Sequence, residues 1–494
     1  MPVVMAQQKF MEKYRKLIIN IFTFAIGNLS SKIVLFLLVP LYTYKLSTAE
    51  FGNIDLVLVK ANLLLPIISL CINESVFRFA ISPNETRIER KETFTNSVII
   101  NSSGLLILVL LYILFDFKKD NNKLFLLIIL ILQSNQVLIA QFIRAAGKIL
   151  NYSLNGILKT LVLCLCNVYF LYFKNNGYYG YFYSIIISEL FSIILFIISN
   201  SVYNNFHFKY FKLKTIKELL SYSLPLIPNT MIWWIINSSN RFFLDYYWEE
   251  NLVGLYAISI RLSTIITLVT YVFMQSWQIS AIEESNHIDR TRFYTTVINN
   301  YYKLLITAVS FFLIVIKPFF IVSISKDYFS AIFFVPFLLM SALYSGLSGF
   351  LGTSYLVVKQ TSRTLFTSIW CGLAGIIFNF LLIPKYGGIG ASIANFLSFL
   401  FLYIIRKWDT KKIIDIKFEN WSIRFDLMLL FIQISIFYID MQMIIFMSIQ
   451  IILFIIIILH NYGIIKKYFL MIWNMIFELM KKRRKDAEKK YKKN

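Results

Sequence analysis

The sequence predicts an all-α integral membrane protein with about fourteen transmembrane helices, and three observations indicate this fold class. Hydrophobic residues make up 58% of the 494 residues, and charged residues only 15%. The hydrophobic residues recur in long runs, and one membrane-spanning helix requires about 20 of them. The basic residues are concentrated between alternate runs. The net charge of +23 therefore reflects membrane topology and is not a sign of nucleic-acid binding.

Fourteen runs are long and apolar enough to be predicted as spans. They occupy residues 17–41, 52–80, 93–115, 124–143, 149–173, 178–202, 219–243, 254–279, 297–322, 331–357, 364–383, 389–407, 425–440 and 443–460. With the N-terminus inside, inner segments hold 34 of the 49 basic residues, outer loops hold 7, and 8 lie within spans. This division counts Arg406 and Lys407, at the inner end of the twelfth span, with the inner loop that follows. Because Lys and Arg are enriched on the cytoplasmic side, both termini are predicted to be cytoplasmic.

The loops argue against an enzyme. Every outer loop is short, and the longest inner loops, 203–218 and 408–424, are Lys-rich without an apolar core. The N-terminal run is predicted to be an anchor because it lacks a small-residue cleavage site. The four cysteines lie within spans at spacings that match no metal or redox motif, so no metal or cofactor is expected. Transport within the membrane is the predicted activity.

Two pairs of similar segments predict an internal repeat. Asn176–Gly180 and Tyr386–Gly390 are glycine-bearing turns that enter a span, 210 residues apart. Polar loops around Gly52 and Gly254 are 202 residues apart. An even number of spans between equivalents indicates a parallel repeat, that is, two six-helix lobes around a central cavity, although chance similarity is the alternative. The predicted boundaries are an N-terminus 1–16, an N-lobe 17–203, a basic linker 204–218, a C-lobe 219–407, spans 425–460 and a basic tail 466–494.

Apart from Arg406 and Lys407, eight basic residues lie within the predicted spans, where each would cost about 2.5–3.5 kcal/mol at a helix centre if it faced lipid. On the second span Lys60 and Arg78 are five helical turns apart, with Glu74 near the same line, so one stripe is charged. On the eighth span a polar arc is formed by Arg261, Thr264, Tyr271 and Gln275. These stripes predict a cationic cavity between the lobes. The eight residues are Lys32, Lys60, Arg78, Lys159, Arg241, Arg261, Lys303 and Lys317.

Alternatives exist for several of these cations. Those near span ends, Lys317 and Lys159 above all, could extend to the membrane surface. Arg78 could be neutralised by Glu74, which lies one helical turn before it.

The seventh span combines prolines with aromatic and amide side chains. Pro225 and Pro228 remove backbone donors and predict a bend, which in transporters often lines a cavity. Beyond the bend, polar and aromatic residues recur every four positions: Asn229, Trp233, Asn237 and Arg241. Trp233 and Trp234 beside Asn237 could contact the sugar rings and hydroxyls of a glycan, or the tryptophans could mark a membrane interface.

Acidic residues within spans are candidates for ion coupling. Glu189 has no basic residue within four positions, so it either binds a proton or Na⁺ or pairs in three dimensions with one of the cations. Glu74 is the second candidate. In the tail beyond Lys466, the short apolar segment Phe469–Met480 and the nine basic residues of Lys481–Lys493 are predicted to lie on the anionic inner leaflet.

Several segments resemble one family. SYSLPLIPNTMIWWIINSSNRFFL in the seventh span and MQSWQISAIEE at the end of the eighth are similar to bacterial polysaccharide repeat-unit flippases of the O-antigen or capsule type, members of the multidrug/oligosaccharidyl-lipid/polysaccharide exporter superfamily. GNLSSKIVLFLLVPLYTY, ESVFRFA and LIPKYGGIGASIA support the resemblance, which covers about residues 20–407.

The resemblance implies two six-helix lobes around a cationic lumen in the bacterial plasma membrane. It also implies transport of an undecaprenyl-diphosphate-linked oligosaccharide from the inner to the outer leaflet. One residue departs from the family: relatives commonly have Asp just before the arginine of the seventh span, whereas this chain has Asn240. Any ion role of that acid would pass here to Glu189 or Glu74.

The resulting hypothesis is alternating access to a cationic site for the diphosphate, with H⁺ or Na⁺ as a possible coupling ion. The candidate substrate-binding residues are Lys32, Lys60, Arg78, Trp233, Trp234, Asn237, Arg241, Arg261, Gln275 and Lys303. Rival hypotheses are a drug or metabolite antiporter or a peptidoglycan-precursor flippase of the same superfamily, a membrane glycosyltransferase or polymerase, and a scaffold protein.

Overall fold

The computed structural model describes residues 34, 36–81, 86–114, 121–200, 202–284, 289–463 and 466, which are helical almost throughout. The helices are α1 Val39–Lys45, α2 Thr48–Ile68, α3 Ile72–Ala80, α4 Arg87–Leu114, α5 Asn121–Ala145, α6 Ile149–Asn167, α7 Gly177–Asn200, α8 Leu213–Ser223, α9 Leu226–Trp248, α10 Glu250–Glu283, α11 Arg290–Ser323, α12 Val335–Val357, α13 Thr361–Thr410, α14 Asn420–Phe437 and α15 Met443–His460. A π-helical turn, Val168–Phe173, extends α6.

Eleven helical segments of the described ranges are long and apolar enough to cross a membrane. One of them, Ser362–Thr410, covers both the eleventh and the twelfth predicted span, and a kink at Gly387 divides it into two helical segments. The thirteenth predicted span is a helix, α14, but is not among the eleven. Most of the first predicted span, with Lys32, and nearly all of the basic tail lie outside the described residues. The chain is thus an all-α multi-pass membrane protein, as the composition predicts.

The second predicted span is not one continuous helix, which corrects the argument from its helical period. Ser47 and Glu50 form a capping box that begins α2. The helix ends at Ile68, because Leu70 and Cys71 adopt left-handed backbone conformations with φ of 51° and 52°. A new helix, α3, follows. Lys60 in α2 and Arg78 in α3 are therefore not aligned five turns apart on one helix, as the helical period predicts.

The seventh predicted span is interrupted where the prolines predict a bend. The helix α8 ends at Ser223, and α9 begins at Leu226 after a turn formed by Leu224 and Pro225. Because proline has no backbone N–H, the regular helical bonding pattern cannot continue through this point.

The two halves of the predicted repeat meet through α2 and α10. A Cβ atom on Gly52 would overlap the carbonyl oxygen of Glu250, and one on Gly254 would overlap that of Thr48. The two contacts exchange under the 202-residue offset of the repeat, which is the pattern of a local two-fold axis. Thr48 Oγ1 also donates to Asn251 Oδ1 at 2.8 Å. Glycine is required at both positions because only a bare backbone permits this approach.

The second pair of repeat turns also shares its backbone geometry. Gly177 and Gly387 both have positive φ, 48° and 54°, at the entrance of a helical segment. Three residues later, a Cβ atom on Gly180 would lie 3.0 Å from Phe170 Cβ, and one on Gly390 would overlap the Leu382 carbonyl. Each turn therefore needs two glycines. The first adopts the positive φ of the turn, and the second permits close packing.

The last two helices form a hairpin that packs against α11. Gln433 and Gln450 exchange side-chain to backbone hydrogen bonds of 3.2 and 2.9 Å, and Ser310 of α11 donates to Gln433 at 2.6 Å. Asp426, fully buried in α14, accepts a bond of 2.8 Å from Asn461. Polar side chains thus tie the hairpin to the bundle.

Candidate functional site: a cavity between α10 and the N-terminal helices

A cavity of about 530 Å³ lies where α10 meets α2, α5, α6 and α7. Its walls are mainly apolar, and its polar lining includes Asn62, Gln133, Lys159, Tyr181, Glu189, Arg261 and Thr264. This size falls within the range of about 300–1,000 Å³ found for small-molecule sites. The polar arc predicted on the eighth span therefore reaches the cavity through Arg261 and Thr264.

Arg261 is held by aromatic rings rather than by an acid. Its guanidinium lies 4.6 Å from the ring centroid of Phe51 and 5.0 Å from that of Tyr42. It donates to the hydroxyl of Tyr181 at 2.8 Å. Within the described ranges no carboxylate forms an ion pair with it. Rings and a hydroxyl fix its position without cancelling its charge, so the charge remains available to an anion.

The second charged group of the cavity is an ion pair. Lys159 Nζ of α6 lies 2.7 Å from Glu189 Oε2 of α7. Glu189 is only 3% exposed. Both side chains line the same cavity as Arg261, which gives the three groups a formal charge of +1. Of the two alternatives for Glu189, the structure has the pairing with a cation, and that cation is Lys159.

Arg241, predicted to bind substrate, is paired with an acid in this structure. Its Nε donates to Asp55 Oδ2 of α2 at 2.7 Å, and both residues are buried. The preceding Asn240 donates to the Tyr256 hydroxyl at 2.5 Å. Asp55 thus supplies the carboxylate beside Arg241. The pair also links α9 to α2.

The tryptophans of the seventh span lie beside this pair. Trp234 Nε1 donates to the carbonyl of Val59 at 2.9 Å, which gives it a structural contact with α2. Trp233 is partly buried, and its carbonyl accepts from Asn237, whose side chain is exposed. Gln275 of α10 is partly buried. None of these four is among the residues lining the cavity.

The remaining predicted cations lie elsewhere. Lys60 lines a separate pocket between α2, α4 and α5. Arg78 and Glu74 are exposed on α3 and form no ion pair with each other, and Glu74 accepts from Asn73 at 3.1 Å. Lys303 lies 2.5 Å from Glu419, just before α14. Lys32 lies outside the described residues.

Several residues with evident roles were missed by the sequence analysis. Tyr42, Phe51 and Tyr181 hold Arg261, but their apolar surroundings gave no signal. Arg406, counted there as an inner-loop residue, is 2% exposed and donates to Ser348, Thr367 and Ser368 in the second half of the bundle. In the described ranges, no group of three His, Cys, Asp or Glu side chains could hold a metal ion.

Comparison with known proteins gave matches to a family and to solved structures. A family model described as "Polysaccharide biosynthesis protein" matches residues 17–278, just over half of the chain. The fold is similar to that of the lipid II flippase MurJ in an inward closed conformation, with a TM-score of 0.65 and 15% identity over 90% of this chain and 100% of that one.

The fold is also similar to that of a MATE-family multidrug resistance transporter of the MOP superfamily in an inward-facing conformation. The TM-score is 0.60, and 13% of residues are identical over 79% of this chain and 95% of that one. No curated protein sequence matches the chain. At these identities the structural matches show a shared fold.

Proposed function

Because the chain belongs to the polysaccharide biosynthesis protein family and has a fold like those of flippases and exporters of the MOP superfamily, we propose that it flips an undecaprenyl-diphosphate-linked oligosaccharide across the bacterial plasma membrane. The glycan would be a repeat unit of a surface polysaccharide such as an O-antigen or a capsule. Transport would run from the inner to the outer leaflet, with both termini in the cytoplasm.

The observation that carries this proposal is the uncompensated charge of Arg261. Arg241, Lys303 and Lys159 each have a carboxylate partner, whereas Arg261 is surrounded by aromatic rings in a cavity that α10 shares with four N-terminal helices. A diphosphate is an anion that a guanidinium binds through paired hydrogen bonds. Lys159 could add a second contact once the anion competes with Glu189 for it.

Alternating access would move α10 relative to the N-terminal helices. The two-fold contact at Gly52 and Gly254 holds one end of α2 and α10 together, so opening at that end requires its separation. The predicted lobes, residues 17–203 and 219–407, would be the moving bodies.

Electrical driving force favours export of an anion. Moving each negative charge out of a cell whose interior is electrically negative is favourable by about 2.3 kcal/mol per 100 mV. A proton or Na⁺ gradient would then act mainly in resetting the carrier, and Glu189 is our candidate for the coupling carboxylate. Glu74 is the alternative candidate, because it is exposed on α3.

The test is a flipping assay in proteoliposomes. A fluorescent undecaprenyl-diphosphate oligosaccharide is incorporated, and the fraction of headgroups accessible to an added glycosidase is followed over time. We expect Arg261→Gln to slow flipping at least about tenfold, since a charged hydrogen bond to an anion contributes about 1.5–3 kcal/mol.

The matched control is Lys317→Gln. Lys317 lies 4.2 Å from the ring centroid of Phe446 on the appended hairpin, away from the cavity. Flipping by Arg261→Gln at the rate of the unmodified protein would contradict the proposal.

A second candidate function is flipping of a peptidoglycan precursor, which the structural similarity to a lipid II flippase favours. The same assay with lipid II as cargo separates the two. Faster flipping of lipid II than of the oligosaccharide lipid would support the second candidate.

A further inference from the structure

A second pocket, of about 490 Å³, lies on the other side of α2 from the cavity. It is formed by α2, α4 and α5 and is lined chiefly by leucines, with Lys60 and Lys123 as its charged residues. Leu111, which lines it, is 45% exposed, and other apolar residues of α4 nearby are exposed as well. In a membrane protein, such an apolar exposed surface faces the lipid chains, so the pocket is accessible from the bilayer.

Lys60 is the unusual feature of this pocket. It lies in the interior of a span, twelve residues after the first residue of α2. Across the described ranges, Lys60 has neither an ion pair nor a hydrogen bond from its ammonium group. A charged side chain in this setting is strongly unfavourable unless an anion or water reaches it.

The pocket and the cavity use different faces of α2. Val57, Lys60 and Leu64 line the pocket, whereas Leu58 and Asn62 line the cavity. At 100° per residue, the two faces point about 150° apart. The helix therefore separates the two spaces, and a ligand in one does not touch the other.

We propose that this pocket binds one anionic glycerophospholipid of the membrane, with its phosphate at Lys60 and an acyl chain along the leucines. Basic pockets between transmembrane helices bind anionic lipid headgroups in this way. The apolar lining supplies the chain site, and the lysine supplies the charge that distinguishes an anionic lipid from a neutral one.

The lining favours a phospholipid over the glycan lipid. The predicted sugar-contacting residues, Trp233, Trp234 and Asn237, lie on α9, which does not contribute to this pocket. Its size suits part of one lipid rather than an oligosaccharide with its polyprenyl chain.

A lipid bound in this pocket would contact α2, the helix that meets α10 of the other half. On its other sides α2 accepts a hydrogen bond from Trp234, pairs Asp55 with Arg241 and meets α10 at Gly52. A lipid bound at Lys60 is therefore expected to stabilise this helix in its present position.

The test compares two lipids that share dioleoyl chains, phosphatidylglycerol and phosphatidylcholine. The full-length protein is delipidated in detergent and incubated with an equal mixture, and retained lipid is counted by native mass spectrometry. We expect about a fivefold preference for phosphatidylglycerol from one lysine. Lys60→Gln should reduce this preference, and only Lys123 would then supply a charge to the pocket, whereas Lys317→Gln should keep the full preference.

A second pair of variants tests the chain site without touching the charge. Leu126→Trp fills the pocket and should reduce retention of both lipids, whereas Leu124→Trp, on the exposed side of the same helix, should not. This pair decides the question if Lys60→Gln fails to fold.

Three results would overturn the proposal. The first is an unchanged preference in Lys60→Gln, and the second is equal retention by Leu126→Trp and Leu124→Trp. The third is selective displacement of phosphatidylglycerol by undecaprenyl diphosphate in the unmodified protein but not in Lys60→Gln, which would assign the pocket to the transport substrate. None of these readouts uses flipping activity, so they are independent of the proposed function.

Discussion

Replacing Gly52 with alanine would test the contact between the two halves most directly. A Cβ atom there would lie 2.9 Å from the carbonyl carbon of Glu250 and 3.0 Å from the nitrogen of Gly254, and would overlap the Glu250 oxygen. Carbon and oxygen normally approach to about 3.3–3.6 Å, so the helices would have to separate by on the order of 1 Å. Backbone atoms on both sides leave no flexible side chain to absorb this shift.

The expected destabilisation of the contact is about 2–4 kcal/mol. Overpacking accounts for about 1–3 kcal/mol. Loss of the Thr48 to Asn251 hydrogen bond adds about 1 kcal/mol. Gly254→Ala should behave alike, because its Cβ would overlap the Thr48 carbonyl.

Gly156→Ala is the matched control. This glycine is also within a helix, α6, but nothing lies within 4 Å of its Cβ position. Alanine there should be neutral or stabilising by up to about 1 kcal/mol, because alanine favours helix.

The assay is disulfide formation between Thr48→Cys and Asn251→Cys, in a background whose native cysteines are replaced. Rapid cross-linking is expected with Gly52 present, and slow cross-linking with Gly52→Ala, together with a lower thermal unfolding midpoint. If Gly52→Ala cross-links and unfolds like Gly156→Ala, the close contact inferred between α2 and α10 is wrong.

Three further predictions concern buried charges. Asp55→Asn should destabilise the protein by about 3–5 kcal/mol, because it leaves Arg241 buried without its partner; adding Arg241→Gln should recover part of this, as thermal unfolding of the single and double variants would show. Glu189→Gln should raise the formal cavity charge from +1 to +2 and tighten binding of a diphosphate lipid in a salt-dependent manner, measured by fluorescence titration. Arg406→Ala should lower the free energy of unfolding by about 3 kcal/mol or more, measured through the thermal unfolding midpoint, since it removes a buried side chain and three donors.

The fold was largely predictable from local patterns. Apolar runs located the spans because lipid imposes a fixed length on any helix that crosses it. Gly52 and Gly254, paired by spacing alone, turned out to contact one another's helices. The exception was the break at Leu70 and Cys71, where two residues other than glycine adopt positive φ. Pro66, in the last turn of α2, is the nearest helix-disrupting residue in the sequence.

The candidate site was predictable only in part. Arg261 and Thr264 were identified by helical period, and both line the cavity. Lys60 was selected by the same reasoning yet lines a different pocket, because the period fixes a helix face but not the neighbour that this face meets. Pairing was likewise invisible: 186 residues separate Arg241 from Asp55.

The sequence by itself determined that this is a multi-pass helical membrane protein, since the length of an apolar run is a local property. Only the tertiary structure decided which intramembrane charges remain uncompensated. Whether a charge is neutralised depends on groups that the packing of distant helices brings within about 4 Å, where the Coulomb energy is large. The residues adjacent in sequence do not indicate which groups those are. Asp55 neutralises Arg241 and Glu189 neutralises Lys159, whereas aromatic rings surround Arg261 and leave its charge for an anion.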